Sequence, residues 1–297
     1  MERIIDLHVH STCSDGVLTP QMLVDRAKVN GVSVLAIADH DSVEAYTDDL
    51  FEYADKNGVE IIKAVEMSTR YKGIGIHVLG YNFDLKNIKL IDTLSRLKSA
   101  RQDYLVKVSE KLSSLGYVVN VNLLKTFSSV TKAHIASDVV SNEINNKLLL
   151  KTFGHIPSKG EFIETMMNEN CVAYVEKFSI SPIEASQIIH SAGGKVVLAH
   201  PVAYVHEDGV DVNWILDLVK DMKPDGIEAN YLYVDRNNQH IDEVDFWRDF
   251  ADKNNLFSTI GSDFHAPSEI QADLGHINRN LKLSDEQTQV ILNNLKK

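Results

Sequence analysis

Over its first eighty residues the chain alternates short apolar runs with longer stretches whose apolar positions fall at helical spacing. Residues 3–7 form a short apolar run ending in His8-Val9-His10. Thr19-Pro20 predicts a helix start, with Thr as cap and Pro in the first turn, and Gly31 a helix end. Residues 32–38 are nearly all apolar, read as a buried strand, and run directly into Asp39-His40-Asp41. A second helix is predicted over 43–57, stopping at Gly58. Residues 59–65 read as a strand leading into Glu66, and 76–81 as a fourth strand carrying His77. Repeated strand–helix units with near-continuously apolar strands indicate an α/β fold on a parallel sheet, open or closed into a barrel.

From residue 82 to 179 the pattern is different. Helical spacing dominates at 88–115, 136–150 and 161–170, and only 172–175 reads as a strand. This stretch is expected to be a helical insertion, a cap domain between the two parts of a main domain, 1–81 and 180–297. Alternation then resumes. Helices are expected at 182–192, 212–222 and 235–254, and strands at 195–199, 226–229 and 256–261. A final helix spans 284–295, with Ser284 as cap and Gln287 in the capping-box position.

Composition narrows the class. The 297 residues contain no apolar run long enough to span a membrane. The first residues lack the pattern of a signal peptide. Cys13 and Cys171 suggest neither a disulfide framework nor a zinc knuckle, so a cytoplasmic, reducing setting is expected. The net charge of −12 argues against a protein that coats nucleic acid, and no binding of duplex DNA is expected. Within the −12, nine Lys/Arg face three Asp/Glu between Lys86 and Lys132, leaving +6 there and −18 elsewhere. Metal-site carboxylates account for part of that acidity if cations offset them.

The candidate chemistry sits at the predicted strand ends. His8 and His10 follow the first strand, His40 the second and Glu66 the third. His77 opens the fourth, His200 follows a later strand, and Asp263 and His265 follow the last. Strand C-termini converge on one face in parallel α/β folds, so residues distant in sequence meet there. Imidazoles suit transition metals, and carboxylates can bridge two cations. A lone His-x-His is commonly a surface pair. Seven or eight ligand-type residues at strand ends are not explained that way. His155, His190, His206, His240 and His276 are expected to be structural or surface residues.

His8-Val9-His10-Ser11, Asp15-Gly16, Asp39-His40-Asp41, Glu66, His77, Ala199-His200-Pro201 and Gly261-Ser262-Asp263-Phe264-His265 resemble, in order, the motifs of the PHP (polymerase and histidinol phosphatase) superfamily. The chain is most similar to its stand-alone bacterial phosphoesterases, which act on nucleoside 3′,5′-bisphosphates and short RNA 5′ ends and share the pattern seen here as Ser181-Pro182-Ile183-Glu184-Ala185. The resemblance implies a distorted (β/α)7 TIM-like barrel with a helical insertion, and two to three divalent ions of manganese, iron or zinc. It implies that His8, His10, Glu66 and Asp263 hold one ion. Glu66, His77 and His200 would hold a second, and Asp15, His40 and His265 a third. Asp39 and Asp41 would orient His40, and Glu228 would be structural or support the ligands. The chain departs from relatives in having Lys132-Ala133-His134 where Arg-Pro-His is common, and Val202-Ala203-Tyr204 where an Arg often follows. Lys meets phosphate as a point charge and not as a fork.

The expected activity is hydrolysis of phosphomonoesters of small nucleotides by a metal-bridging hydroxide, as a 3′,5′-bisphosphate phosphatase, a 5′–3′ exoribonuclease on short RNA, or both. His8, His10, Glu66, Asp263 and His265 form the expected catalytic set. Lys132, His134 and Lys177 are the expected phosphate contacts. Rival readings are a histidinol-phosphate phosphatase, an amidohydrolase-type C–N hydrolase and a non-catalytic metal-binding PHP domain.

Overall fold

The computed structural model describes residues 3–127, 130–235, 237–268, 270–276 and 283–296. Among these it contains nine strands: β1 (Ile4–Val9), β2 (Val32–Ile37), β3 (Glu60–Tyr71), β4 (Ile74–Tyr81), β5 (Lys195–Leu198), β6 (Gly226–Asn230), β7 (Tyr233–Val234), β8 (His240–Ile241) and β9 (Phe257–Ile260). Seven form one sheet in the order β1-β2-β3-β4-β5-β6-β9, while β7 and β8 pair as a small ribbon. A parallel bridge between Val9 and Phe264 joins the two edges of the sheet. His10 N donates to Phe264 O, and Asp263 N to His8 O, both at 2.8 Å. The sheet therefore closes on itself beside His8 and His10, as the expected barrel requires.

Side-chain alternation sorts the core into an inside and an outside. Ile5, Leu7, Val34, Ala36, Ala64, Leu79, Tyr81, Val197 and Ile260 share one cluster with Ile291, Leu292 and Leu295 of the last helix, Asp285–Lys296. That helix meets the start of β1 through the bond from Arg3 N to Asp285, at the end away from His8 and His10. Val9, Leu35 and Ile37 instead pack outward against Leu23, Val24 and Ala27 of helix Pro20–Val29 and Leu50 and Ala54 of helix Asp48–Lys56. Leu7 thus faces in and Val9 faces out, which strict alternation would not give from Ile5 onward. The register between β1 and β2 slips between Asp6 and Val9. This irregularity turns His8 and His10 to the inner side, a known use of bulges beside functional sites.

The sheet is not wholly parallel. β3 pairs antiparallel with β4, and β4 with β5. β3 continues past Glu66 to Tyr71, so Glu66 lies inside the strand and not after it, and His77 lies within β4 opposite Ser68. The reason is the two-residue turn Lys72-Gly73. Both residues have positive φ (47° and 89°), the backbone that matches hairpin twist.

The chain divides into two compact units, 1–94 with 180–297, and 95–179, and the division falls within helix Ile88–Ser114. The second unit is helical, with an apolar core that includes Leu105, Val108, Leu112, Ile135, Val139, Leu149 and Phe162. The expected helix over 136–150 is two helices, Lys132–Ser141 and Asn146–Phe153, separated at Asn142 by a 3-10 turn. The stretch expected to be helical over 161–170 is one α turn, Lys159–Phe162, followed by a π turn, Ile163–Met167. No strand forms at 172–175, where the backbone turns and its Ala173 N donates to Met166 O at 2.8 Å. The helix expected over 235–254 is confined to Val244–Lys253, after β8. No described helix is long and apolar enough to cross a membrane.

Candidate metal centre

The sheet unit gathers the nine candidate ligands at one end. Four atoms face one another around a first point: His8 Nε2, His10 Nε2, Glu66 Oε2 and Asp263 Oδ1. The two imidazole nitrogens are 3.2 Å apart. His10 Nε2 is 3.1 Å from Asp263 Oδ1 and 3.3 Å from Glu66 Oε2, while His8 Nε2 is 3.5 Å from each. Around a second point, Glu66 Oε1 lies 2.9 Å from His77 Nδ1 and 3.1 Å from His200 Nε2, and those two nitrogens are 3.3 Å apart. Around a third, Asp15 lies 3.4 Å from His265 Nε2, 3.6 Å from His10 Nδ1 and 3.7 Å from His40 Nε2. His40 also turns Nδ1 to within 2.9 Å of Glu66 Oε2, so it stands between the second and third groups.

These separations test the fit of a metal. An ion bonded at about 2.1 Å spaces its donors about 3.0 Å apart at right angles and about 3.4 Å apart at the tetrahedral angle. The first two groups, spanning 2.9–3.5 Å, match that range to within 0.1 Å, and the third, at 3.4–3.7 Å, is slightly wider. Hydrogen bonding does not account for the gathering. Asp15 Oδ1, His40 Nδ1, Glu66 Oε2 and His200 Nδ1 are buried without a hydrogen-bond partner. His40 Nδ1 and Glu66 Oε2 approach closely yet are not aligned to share a proton. Leaving such groups unsatisfied costs roughly 1–3 kcal/mol each, more if charged. Borderline nitrogen donors around a bridging carboxylate fit divalent metal ions.

The electrostatics agree. Burial raises the cost of charge on Glu66, but His77, His40 and His8 outweigh it and hold its carboxyl well below the usual range. Asp15 and Asp263 are depressed in the same way, against burial, by His40 and by His8 respectively. Burial also opposes charge on His10, yet Asp263 and Glu66 push its pKa up to about 10. His8 is raised well above its ordinary value by Glu228, Glu66 and Asp263, again against burial. Burial lowers His40, whose neighbours Glu66 and Asp15 only partly compensate. Without an ion, His8 and His10 favour the protonated form beside these carboxylates, and a divalent ion bound there would have to displace those protons.

Supporting residues fix the ligands. Glu228, fully buried, accepts from His8 Nδ1 at 3.0 Å and from His200 N at 3.0 Å, which aims His8 Nε2 into the first group. Gly261 makes room for this pair: a Cβ there would lie 2.3 Å from both Glu228 Oε1 and His8 Cβ. Asp6 accepts from His8 N, Ser262 N, Ser262 Oγ and Gly275 N, tying β1 to the loop that carries Asp263. His200 and Asp263 have positive φ (25° and 53°), strained backbone held at two candidate ligands. Asp39 does not orient the His40 ring. It accepts from Ser11 N, Ser11 Oγ and Ser14 Oγ, fixing the loop that bears Asp15. Asp41 accepts from Ser68 N at 2.8 Å. Sequence reasoning missed Asp6, whose only signal is an acidic residue inside an otherwise apolar strand.

The three expected phosphate contacts lie in the helical unit. Lys132 Nζ donates to Asn168 Oδ1 at 3.1 Å. His134 caps its own helix, accepting from Thr131 N, and stacks on Phe127 with centroids 4.6 Å apart. Lys177 follows the turn that ends the unit's last helical segment. Away from the cluster, His155, His190 and His206 each pair with a surface carboxylate, Glu161, Asp225 and Glu243.

Known proteins share this arrangement of sequence and fold. A Haemophilus influenzae 5′-3′ exoribonuclease is 33% identical over 90% of this chain and 92% of its own length. A 3′,5′-nucleoside bisphosphate phosphatase from Chromobacterium violaceum is 26% identical, covering 92% of this chain and 90% of its own. A solved structure from Bifidobacterium adolescentis, provisionally called a metal-dependent phosphoesterase, superposes with a TM-score of 0.75 over 98% of this chain and 96% of its own, at 21% identity. The sequence pattern of the PHP domain matches residues 6–177, which include six of the nine residues gathered here, while His200, Asp263 and His265 lie beyond it. With its ligand set, its closed sheet and these relatives, the chain belongs to the PHP domain family.

Proposed function

We propose that this chain is a metal-dependent phosphoesterase that hydrolyses phosphomonoesters of small nucleotides, as a nucleoside 3′,5′-bisphosphate phosphatase, a 5′–3′ exoribonuclease on short RNA, or both. The observation that carries this reading is the buried Glu66, whose two oxygens face different sets of imidazoles. The names of the relatives support the substrate class.

In this reading His8, His10, Glu66 and Asp263 hold one ion, Glu66, His77 and His200 a second, and Asp15, His40 and His265 a third, drawn from manganese, iron or zinc. Such ions lower the pKa of bound water and neutralise phosphoryl charge. The protein's own part is to fix the donors. Glu228 and Asp6 hold β1 and its histidines in place. Asp39 and Gly16 fold the loop under His10, where a Cβ on Gly16 would lie 2.1 Å from His10 O. The barrel, 1–81 with 180–297, carries the chemistry, and the insertion, 82–179, supplies substrate contacts through Lys132, His134 and Lys177. Small nucleotides and RNA ends suit a cytoplasmic enzyme.

The test is phosphate release from a panel of 3′,5′-bisphosphonucleotides, short 5′-phosphorylated RNA, histidinol phosphate and an aryl phosphate, after chelation and again with Mn²⁺ restored. Turnover that is metal-dependent and fastest on the bisphosphonucleotide or RNA is expected. Preference for histidinol phosphate, or no release from any ester, contradicts the reading. Lys132→Ala should raise KM for the bisphosphonucleotide more than for the aryl phosphate, since only the former has a distal charge to grip.

A further inference from the structure

Tyr231 sits directly after β6 and belongs to no motif in the sequence. Its hydroxyl donates to Asp263 Oδ2 at 3.4 Å, while Asp263 Oδ1 faces His10 and His8. Its ring stands 5.6 Å from the ring of His200, so the same side chain touches the surroundings of two ligand groups. The residue before it is tightly anchored. Asn230, buried, donates to Thr259 O at 2.6 Å and accepts from Arg248 Nε at 2.7 Å.

We propose that Tyr231 is a positioning residue that fixes Asp263 to offer a single oxygen, Oδ1, to a metal ion. At 3.4 Å the contact is long for a hydroxyl–carboxylate bond, so its effect is direction: Oδ2 is held to the phenol side and Oδ1 to the histidine side. A carboxylate free to turn can present both oxygens to one ion and change its coordination number. Tyr231 thereby sets both the affinity and the geometry of the ion shared by His8, His10, Glu66 and Asp263. Partners of this kind are worth about 10- to 100-fold in metal affinity.

This inference rests on the metal-binding reading of the cluster, and the experiment separates the two. Full-length protein is stripped with chelator and titrated with Co²⁺, following visible absorption and heat, for wild type, Tyr231→Phe, Asp263→Ala and the double variant. The metal-free melting temperature is measured for each. Absence of Co²⁺ binding by the wild type defeats the metal reading itself. If the wild type binds, Tyr231→Phe is expected to bind about tenfold more weakly, with altered Co²⁺ bands and an unchanged metal-free melting temperature. In the Asp263→Ala background the same change should add nothing, because Tyr231 acts through Asp263. Equal affinity and spectra for wild type and Tyr231→Phe overturn the inference. So does a loss that persists in the Asp263→Ala background or tracks a fall in metal-free stability.

Discussion

The two units of this chain bury different things. Among the described residues the helical unit's core is apolar, and its one buried charge is Arg101, which donates to Val130 O. The sheet unit buries Asp6, His8, His10, Asp39, His40, Asp41, Glu66, His200 and Glu228. A fold that only needed stability would not do this, since a buried ionisable group is costly unless paired. The polar burial follows one end of the sheet, while the opposite end is closed by Ile291, Leu292 and Leu295. Among the described residues, apolar burial serves stability in both units, and polar burial marks the end of the sheet whose side chains fit divalent cations.

The largest effect that sharpens this contrast comes from Glu66→Gln. The shape is kept, but the charge that faces both sets of imidazoles is lost. Turnover of a phosphomonoester should fall by roughly a thousandfold or more, the equivalent of several kcal/mol of lost charge stabilisation, with circular dichroism unchanged. Near-normal turnover would remove the bridging role. Next comes Glu228→Gln, which loosens the aim of His8 and should weaken Mn²⁺ binding about 10- to 100-fold, read by calorimetry.

A smaller effect is expected from pH. His10 has its folded pKa raised from 6.5 to about 10, so its protonation stabilises the metal-free fold fully below its unfolded value, and that contribution is lost as pH rises through about 10. The depressed carboxylates of Asp15, Glu66 and Asp263 contribute stability above their unfolded values near 4, lost as pH falls through the folded ones. Because metal must displace the imidazole protons, Mn²⁺ affinity should rise steadily from about pH 6 to about pH 8.5. Calorimetry in buffers of different ionisation heat should show proton release on binding, and a pH-independent affinity would contradict the protonated resting cluster. The smallest effect on the metal site is expected from the helical unit. Leu149→Ala opens a cavity in its core and should cost about 2–5 kcal/mol of stability by thermal denaturation, while Mn²⁺ affinity stays the same. A parallel loss of affinity would break the division of labour.

Much of the site was legible because its ligands interrupt apolar strands. His8-Val9-His10 and Asp263-Phe264-His265 stand out against the runs before them, and the joint pattern at strand ends locates one face of a sheet. The slip in β1 was not legible, since side-chain alternation from Ile5 would have turned His8 away from the inner cluster. The antiparallel pairing of β3 with β4 depends on Lys72-Gly73 taking positive φ, and an apolar strand reads the same in either direction. In the helical unit, apolar spacing located segments but not their breaks, because Asn142 and the π turn at Ile163–Met167 do not disturb that spacing. Tyr231 meets Asp263 from a different strand, so nothing local marks it, and Asp6 shows only as an acidic residue within the apolar run of β1.

The central claim is that the buried polar residues of the sheet unit exist to bind metal, and anomalous diffraction from crystals grown with Mn²⁺ tests it most directly. The account predicts at least two peaks within about 2.0–2.6 Å of these side chains, one bounded by His8, His10, Glu66 and Asp263 and another touching Glu66 from its other oxygen. A well-ordered crystal with no anomalous peak within that distance of any of the nine residues would contradict it.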